Sequence, residues 1–324
     1  MSSSTKSQLK KHAYSYLPRH IMPELPEVET VVKGLTRHIV GQKIKNIDIK
    51  NARSFLWSPK IKKPTGVFGL TIHSLSRRGK GIIVNLSKDY TLLIHLKMTG
   101  QLIYVPRSLH SAHPRQGSGR DDKKRLNLGH PTKDFAEEMP SSHTRVIFEL
   151  SKGTLYFNDQ RKFGWVKLVP TRDIEKDKFI SKLGVEPLSR SFNPDVLWQA
   201  IQRHPNSPIK STIMDQSLVT GVGNIYSDEA LFMAGIRPDR KGKTITKPET
   251  KKLASAIKKV LGLGIKHAGT SIANYKNAEG LPGRMQNYLK VYGRRGLPCP
   301  HKCGVVKSIR IGGRSAHFCP VCQK

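Results

Sequence analysis

The spacing of hydrophobic residues along the chain predicts one opening helix followed by many short strands. Residues 26–40 begin with a proline, carry two glutamates in the first turn, and place aliphatic residues three and four positions apart, which predicts a helix. Further on, short runs of branched aliphatic residues alternate with turn-forming residues, which indicates about eight strands in a β-sandwich or barrel. The expected strands are 44–49, 67–75, 81–86, 91–96, 100–105, 145–150, 154–157 and 165–169.

Two further segments differ from this strand pattern. Residues 107–143 are rich in Gly, Ser and Pro with mixed charge, which predicts a long surface loop inserted between strands. Beyond residue 170 the spacing becomes helical, with helices expected at 194–204, 228–234 and 247–267. We therefore place the boundary between a β-rich and a helical domain within residues 171–190.

The net charge indicates a polyanionic partner. The 324 residues include 57 Lys and Arg against 23 Asp and Glu, a formal charge of +34. Such an excess favours nucleic acid, with an anionic membrane surface as the alternative. No apolar run reaches the roughly 18 residues that a membrane span requires, which excludes an integral membrane protein.

The cysteines are confined to the end of the chain. The first 298 residues contain none, and all four lie in two close pairs, Cys299 with Cys303 and Cys319 with Cys322. Two such pairs are typical of a zinc ribbon, in which four thiolates bind one tetrahedral ion and supply much of the folding free energy. Two disulfides or a redox pair remain alternatives, and His301 or His317 could replace a ligand.

The first 21 residues contain no acidic side chain and are rich in Ser and Lys. This composition resembles an organellar transit peptide or an untranslated leader. Met22 follows directly, so translation from Met22 is the alternative that we favour.

Seven motifs, in order along the chain, carry a resemblance to a known family. They are MPELPEVET (22–30), SRRGK (76–80), HLKMTG (95–100), DQRKFG (159–164), GVGNIY (221–226), AGIRP (234–238) and the cysteine segment with Gly313 and Arg314. Together they resemble formamidopyrimidine-DNA glycosylases, bacterial enzymes that excise oxidised purines and cut the abasic site. The resemblance covers residues 22–324.

The resemblance implies an α+β multidomain protein. Its expected parts are an N-terminal β-sandwich with an opening helix, a helical helix–two-turns–helix domain, and a C-terminal zinc-finger hairpin, with DNA crossing between them. We expect a leader or processed extension at 1–22, the catalytic domain at 23–170, a linker at 171–190, the helical domain at 191–292 and the zinc finger at 293–324.

The resemblance also assigns catalytic residues. Pro23 is the nucleophile, because a terminal proline is a secondary amine whose pKa lies far below that of lysine, so more of it is neutral near pH 7 and can attack the sugar C1′. Glu24 is the general acid and base. Lys80 is expected to bind phosphates at the lesion, and Glu27 is a supporting carboxylate, although a glutamate in a first helical turn also simply opposes the helix dipole.

The family's DNA-binding residues also have matches in this sequence. Met98, Arg161 and Phe163 match the residues that fill the duplex after the damaged base is flipped out. The expected phosphate contacts are Lys210, Asn224 and Arg314. Residues 269–292 match the loop that closes on the base.

The sequence departs from the family in three places. Three residues, not two, separate Cys299 from Cys303; the 107–143 insertion is long; and Gln160 replaces the usual proline.

The expected protein is a monomer that binds one structural Zn²⁺ and duplex DNA with oxidised bases or abasic sites, and no membrane. We expect it in the bacterial cytoplasm at the nucleoid, with an organelle as the alternative. There are two rival functions. The protein is either an endonuclease VIII-like glycosylase for oxidised pyrimidines or a DNA-binding protein without catalytic activity.

Overall fold

The computed structural model describes residues 22–59, 61, 68–107, 125–129, 138–270 and 283–324. Within these ranges the chain forms two compact units. One unit takes residues 22–181 together with 268–270 and 283, and the other takes residues 182–267 and 284–324. The second unit therefore contains both the helical segment and the cysteine-rich segment.

The first unit is a β-sandwich of two five-stranded sheets, as the sequence predicted. One sheet has the strand order β1-β8-β9-β6-β7 and the other β2-β10-β5-β4-β3. All paired strands are antiparallel except β2 and β10, which run parallel. The strands are β1 (Ile44–Ile49), β2 (Phe55–Trp57), β3 (Ile72–Arg78), β4 (Gly81–Leu86), β5 (Tyr90–His95), β6 (Gly100–Pro106), β7 (Leu126–Gly129), β8 (Thr144–Leu150), β9 (Gly153–Asp159) and β10 (Trp165–Pro170).

Helix α1 (Leu25–Ile39) joins the core of this sandwich and packs against β3 and β7. Its inward positions Val28, Val31, Leu35 and Ile39 are each at most 1% exposed and belong to the same apolar cluster as the facing strand residues. These positions recur at the helical spacing of three and four, so one apolar face anchors the helix. The packing fixes the start of α1, where the proposed catalytic residues lie.

The sequence prediction missed strands β2 and β7 and placed β3 too early in the chain. The three residues of β2 and the four of β7 are too short to show a two-residue period, and β7 lies inside the 107–143 stretch that we predicted as a loop. Pairing with β6 recruits β7 into the sheet, because the partner strand supplies the ladder that the local sequence does not specify. The third strand begins at Ile72, later than expected. The rest of that insertion, residues 108–124 and 130–137, lies outside the described residues.

The second unit contains four α-helices among the residues that the structure describes. They are α2 (Pro194–Gln202), α3 (Ile209–Met214), α4 (Asn224–Ala234) and α5 (Lys247–Lys266). Helix α5 begins at a reciprocal capping box between Thr246 and Glu249 and packs its apolar face against α4 and α2. Helix α3 was not predicted, and α4 begins four residues earlier than the expected position 228. None of the described helices is both long and apolar enough to cross a membrane.

A two-stranded hairpin, β11 (Lys307–Ile311) and β12 (Arg314–Phe318), completes the second unit. Strand β12 packs against α4. The segment leading to the hairpin is held by the buried carboxylate of Glu229, which accepts the backbone N–H groups of Lys290, Val291 and Tyr292. Burial raises the pKa of Glu229, and these three donors oppose that rise. Short 3₁₀ turns lie at Ala52–Ser54, Thr171–Lys176, Ile180–Lys182, Gly242–Thr244 and Met285–Tyr288.

Candidate active site

Pro23 and Glu24 lie at the start of α1 and are both buried. Glu24 is the N-cap residue of the helix and is 2% exposed. A reciprocal capping box links it to Glu27: the Glu24 backbone N–H donates to Glu27 Oε2 at 3.0 Å, and the Glu24 side chain accepts from the Glu27 backbone. The fold therefore holds the segment that carries both proposed catalytic groups in one fixed place.

Glu27 reaches a second segment that the sequence analysis did not assign to it. Its Oε1 accepts the backbone N–H of Thr270 at 2.8 Å and the Thr270 hydroxyl at 2.9 Å. Thr270 and Glu27 are 243 positions apart, so no local pattern could reveal the pair. The signal in the sequence was indirect: Gly269 and Thr270 open the segment that we matched to the base-binding loop. Residues 271–282 of that segment lie outside the described residues.

Lys80 lies in the turn between β3 and β4 and is 5% exposed. The arginines before it stabilise this turn: Arg77 donates to Glu29 of α1 at 3.0 Å and to the Gly79 carbonyl at 2.9 Å. This basic run is thus partly structural. It ties the turn that carries Lys80 to the same helix that carries Glu24.

His95 ends β5 beside this basic turn and is 6% exposed. Burial, together with the positive charges of Lys97 and Lys80, lowers its pKa to about 3. Its Nδ1 accepts the Lys97 backbone N–H at 3.0 Å, so the neutral ring carries its proton on Nε2. The rings of Trp165 and Phe179 pack around it with centroid distances of 5.9 and 5.2 Å. His95 is therefore a neutral hydrogen-bond donor at pH 7. His95 belongs to the HLKMTG motif, but the sequence analysis predicted no role for it.

The three residues expected to fill the duplex lie in two turns, β5–β6 and β9–β10. Met98 is half-buried in the first turn, and Arg161 and Phe163 are exposed in the second. Phe163 is 54% exposed, and the Arg161 guanidinium lies 4.8 Å from its ring centroid.

Thr99 and Asp159 join these two turns. The Thr99 hydroxyl donates to the Asp159 carboxylate, and the Arg161 N–H donates to Thr99 Oγ1 at 3.1 Å. Asp159 also accepts the Gly164 N–H at 2.6 Å. The structure thus brings all three expected residues onto one end of the sandwich, and Gln160, the departure from the family pattern, is exposed beside them.

Lys210, which we expected to contact a phosphate, is buried in the structure. Its side chain is 1% exposed, and its ammonium donates to Asp228 Oδ1 at 2.6 Å and to the Ser315 carbonyl at 2.8 Å. Asp228 is fully buried and also accepts the backbone N–H and the ring Nδ1 of His317. Lys210 therefore connects α3, α4 and β12, and a buried ion pair already neutralises its charge.

Asn224 is the first residue of α4, after the glycine turn Gly221-Val222-Gly223. The side chain of Gln216 holds this turn, because it accepts the Gly221 N–H and donates to the Val222 carbonyl, both at 2.8 Å. Asn224 Oδ1 and the Thr220 hydroxyl are buried without a hydrogen-bond partner among the described residues. The Thr220 hydroxyl and the N-terminus of this 11-residue helix can donate to an anionic ligand, whereas Asn224 Oδ1 accepts only from a donor. Arg314, by contrast, is exposed in the turn of the β11–β12 hairpin.

The four cysteines meet at one point. All four Sγ atoms lie within 4.8 Å of one another, and the thiols are free. Zn–S bonds of about 2.3 Å in a tetrahedron place the sulfurs about 3.8 Å apart, so this cluster fits one zinc ion. Zinc binds cysteines as thiolates, so one shared ion would stabilise the deprotonated form of all four.

The residues around this cluster support a four-cysteine site. His301 Nδ1 lies 3.4 Å from Cys322 Sγ, and its ring stacks on Phe232 of α4. His317 is instead hydrogen-bonded to Asp228. The four clustered sulfurs already make a complete tetrahedral ligand set, so the three-residue spacing between Cys299 and Cys303 needs no histidine ligand.

Three family models match successive parts of the chain. They are the formamidopyrimidine-DNA glycosylase N-terminal domain at residues 22–166, the H2TH domain of the same enzymes at 183–276, and a zinc finger found in FPG and IleRS at 296–324. The chain belongs to the formamidopyrimidine-DNA glycosylase family. The zinc-finger match agrees with the four clustered sulfurs, which form a structural zinc site.

Bacterial members of this family are similar to the chain over nearly their whole lengths. The formamidopyrimidine-DNA glycosylase of Pelotomaculum thermopropionicum is 38% identical over 306 residues, which cover 94% of this chain and 99% of the relative. The Desulforamulus reducens protein of the same name is 39% identical over the same extent. The two alignments therefore leave only a short part of this chain unmatched.

Solved structures of the family are similar in fold as well. The Lactococcus lactis Fpg bound to DNA with an abasic site has a TM-score of 0.76 and 32% identity, covering 93% of this chain and 99% of that one. The same enzyme bound to DNA with an oxidised pyrimidine has a TM-score of 0.75 and 32% identity, covering 93% and 100%. A variant of it bound to Fapy-dG-containing DNA has a TM-score of 0.76 and 33% identity, covering 93% and 100%.

Proposed function

We propose that this chain is a base-excision repair enzyme that removes oxidised purines from duplex DNA and then cuts the abasic site. Its membership of the formamidopyrimidine-DNA glycosylase family supports the reaction class. The observation that carries the proposal to this chain's residues is the buried Pro23–Glu24 segment, fixed at the start of α1 by the carboxylate of Glu27.

In the proposed reaction Pro23 is the nucleophile. Its amine attacks the sugar C1′, the bond to the damaged base breaks, and a cationic iminium joins the protein to the opened sugar. Glu24 donates a proton to the ring oxygen as the ring opens. The iminium acidifies the C2′ protons, so the 3′ phosphate and then the 5′ phosphate are eliminated, and water releases the sugar fragment. An α-amine has a pKa of about 8 against about 10.4 for lysine, so much more of it is neutral at pH 7.

This chemistry requires that Pro23 be the first residue of the active enzyme. In the full sequence its nitrogen is a tertiary amide bonded to Met22, which has no lone pair for the attack. The family match begins at residue 22, the position after which the amine must be freed. We infer that translation starts at Met22 and that the initiator methionine is removed, with cleavage of a leader as the alternative route.

DNA binding is proposed to use groups from both compact units. The exposed Phe163 and Arg161, together with Met98, suit a wedge that fills the gap left by the flipped nucleotide. Lys80 and the Nε2–H of His95 suit phosphates near the lesion. The N-terminus of α4 at Asn224 and the exposed Arg314 are proposed to bind phosphates elsewhere on the duplex.

We assign Lys210 a different role from the one that its motif suggested. Because it links α3 to β12 beside the turn that carries Arg314, it positions the hairpin. The structural zinc stabilises the same hairpin from its other end. The domain limits that we expected, with catalytic residues in 23–170, the helical DNA-binding part in 191–292 and the zinc finger in 293–324, remain part of the proposal. So does a monomeric protein in the cytoplasm at the nucleoid.

A second candidate function is an endonuclease VIII-like preference for oxidised pyrimidines. It is favoured by the Lactococcus lactis structure with oxidised-pyrimidine DNA, whereas Leu25 and Pro26 after the Pro-Glu pair favour the purine enzyme. Single-turnover excision from matched duplexes that differ only in the damaged base separates the two. The proposal predicts faster release of 8-oxoguanine or a formamidopyrimidine than of an oxidised pyrimidine, and the reverse order would support the second candidate.

The lyase step is tested on the form of the chain that begins with Pro23. We expect strand cutting at an abasic site, and we expect Pro23→Gly to slow it strongly because a primary amine replaces the secondary one. Glu24→Gln should slow base excision more than cutting at a preformed abasic site, because the acid is needed most where the glycosidic bond breaks. A protein that binds abasic DNA but never cuts it would be the silent DNA-binding protein, and the proposed function would be wrong.

A further inference from the structure

The carboxylate of Glu27 connects the proposed catalytic segment to a distant part of the chain. Its side chain is 5% exposed, so its charge needs compensating donors. Oε2 accepts the Glu24 N–H at 3.0 Å, and Oε1 accepts the N–H and the hydroxyl of Thr270 at 2.8 and 2.9 Å. Thr270 therefore supplies two donors to Oε1, whereas Oε2 takes part in the capping of α1.

The backbone before Thr270 is shaped to make this approach. Ala268 and Gly269 both have left-handed conformations, with φ of 55° and 78°. A Cβ at position 269 would lie 2.8 Å from Glu27 Oε1, closer than van der Waals contact allows. Glycine at position 269 permits the close approach, and the left-handed conformation of the non-glycine Ala268 carries a free-energy cost.

Helix capping alone does not account for the arrangement. A capping box needs only the reciprocal bonds between Glu24 and Glu27, and these involve Oε2 and the backbone. The bonds to Oε1 add nothing to the helix end. They fix the rotation of the Glu27 carboxylate, and that rotation sets the direction in which Oε2 holds the Glu24 N–H.

We propose that Thr270 is a positioning residue for the reaction. It orients Glu27, which in turn holds the backbone that carries the Pro23 amine and the Glu24 carboxylate. This inference rests on the proposed function, in which these two groups attack C1′ and protonate the ring oxygen. Because small misplacements of reacting groups slow a reaction strongly, loosening this chain of contacts slows the chemical step and leaves DNA affinity unchanged.

The experiment compares hydroxyl-deleting and hydroxyl-keeping variants of the form with a free Pro23 amine. Single-turnover borohydride trapping on abasic duplex gives the rate of iminium formation, and titration with a duplex carrying an uncleavable tetrahydrofuran abasic analogue gives Kd. We expect Thr270→Val to slow trapping about tenfold, since it removes a hydrogen bond to a charged group, with Kd within twofold of the parent. Thr270→Ser should restore the parent rate.

Two further variants and one control complete the design. Gly269→Ala, which pushes a methyl group onto Glu27, should slow trapping without any change at Thr270. Thr36→Val is the matched control, because the Thr36 hydroxyl donates to the Val32 carbonyl of the same helix at 2.8 Å, and it should leave the trapping rate unchanged. In a Glu27→Gln background, Thr270→Val should change the trapping rate less than twofold, because the Glu27 carboxylate through which Thr270 acts is already absent.

The outcomes separate this inference from the proposed function. A parent chain with a free Pro23 that forms no adduct contradicts the proposed function and the inference together. A parent that reacts, with Thr270→Val equally fast, contradicts the role of Thr270 alone. So does a full tenfold effect of Thr270→Val in the Glu27→Gln background, or a loss of affinity as large as the loss of rate.

Discussion

Removing the charge of Lys210 should destabilise the second unit strongly. The ammonium and the Asp228 carboxylate are 1% and 0% exposed and 2.6 Å apart. Lys210→Met keeps most of the apolar stem but leaves Asp228 as a buried anion, held only by its bonds to the N–H and Nδ1 of His317 at 2.8 and 3.0 Å. Breaking one side of a buried pair costs about 3–5 kcal/mol.

This cost can be measured by urea and thermal unfolding followed by circular dichroism. In a unit of this size about 3–5 kcal/mol lowers Tm by roughly 9–30 °C. The double variant Lys210→Met with Asp228→Asn removes the stranded charge and should recover part of the loss. Lys259→Met, at an exposed position of α5, is the matched control and should change stability by less than about 0.5 kcal/mol. A loss below about 1 kcal/mol for Lys210→Met would refute the assignment of Lys210 as an internal cross-link.

Three other predictions concern the metal, the phosphates and pH. Strong chelation or Cys299→Ser should abolish DNA binding while the β-sandwich stays folded, and elemental analysis should find one zinc per chain; a metal-free protein with full affinity would contradict this. Arg314→Ala should reduce the salt dependence of duplex binding by about one charge equivalent, whereas Lys210→Met should leave that slope unchanged; a lower slope for Lys210→Met would mean that its ammonium reaches a phosphate. The pKa of His95 is lowered to about 3 in the native chain, against about 6.5 in the unfolded chain. Between these two pH values the unfolded chain binds a proton on His95 that the native chain does not bind. The free energy of unfolding therefore decreases as the pH falls from about 6.5 towards about 3. His95→Gln should reduce this loss by up to about 1.4 kcal/mol per pH unit in urea unfolding at pH 6.5 and 5, and equal slopes would show that His95 is not buried neutral.

The sequence alone was sufficient for the parts of the site that are contiguous along the chain. The opening helix, most strands of the sandwich and the four-cysteine cluster could all be predicted, because each depends on local spacing or on a compact motif. The fold class and the zinc site are confirmed by the structure and by the family matches. The roles of the individual site residues stay predictions.

What could not be predicted depends on contacts between distant residues. Lys210 and its partner Asp228 lie 18 positions apart, and nothing in the local pattern shows that the two side chains are buried together. Thr270 could not be connected to Glu27 across 243 positions. The short strand β7 forms only because β6 offers it a ladder. In each case tertiary pairing, which local spacing does not specify, determines the structure.

The central claim is that the Pro23 amine is the nucleophile, and the direct test is to identify the trapped residue. The native protein is purified, its amino terminus is sequenced, and the active fraction is reduced with borohydride on abasic DNA before digestion and mass spectrometry. We predict that the active species begins at Pro23 and that the sugar fragment is found on the peptide that starts with Pro23-Glu24-Leu25. An active species that retains any residue before Pro23, with the adduct on an internal lysine, would contradict the account.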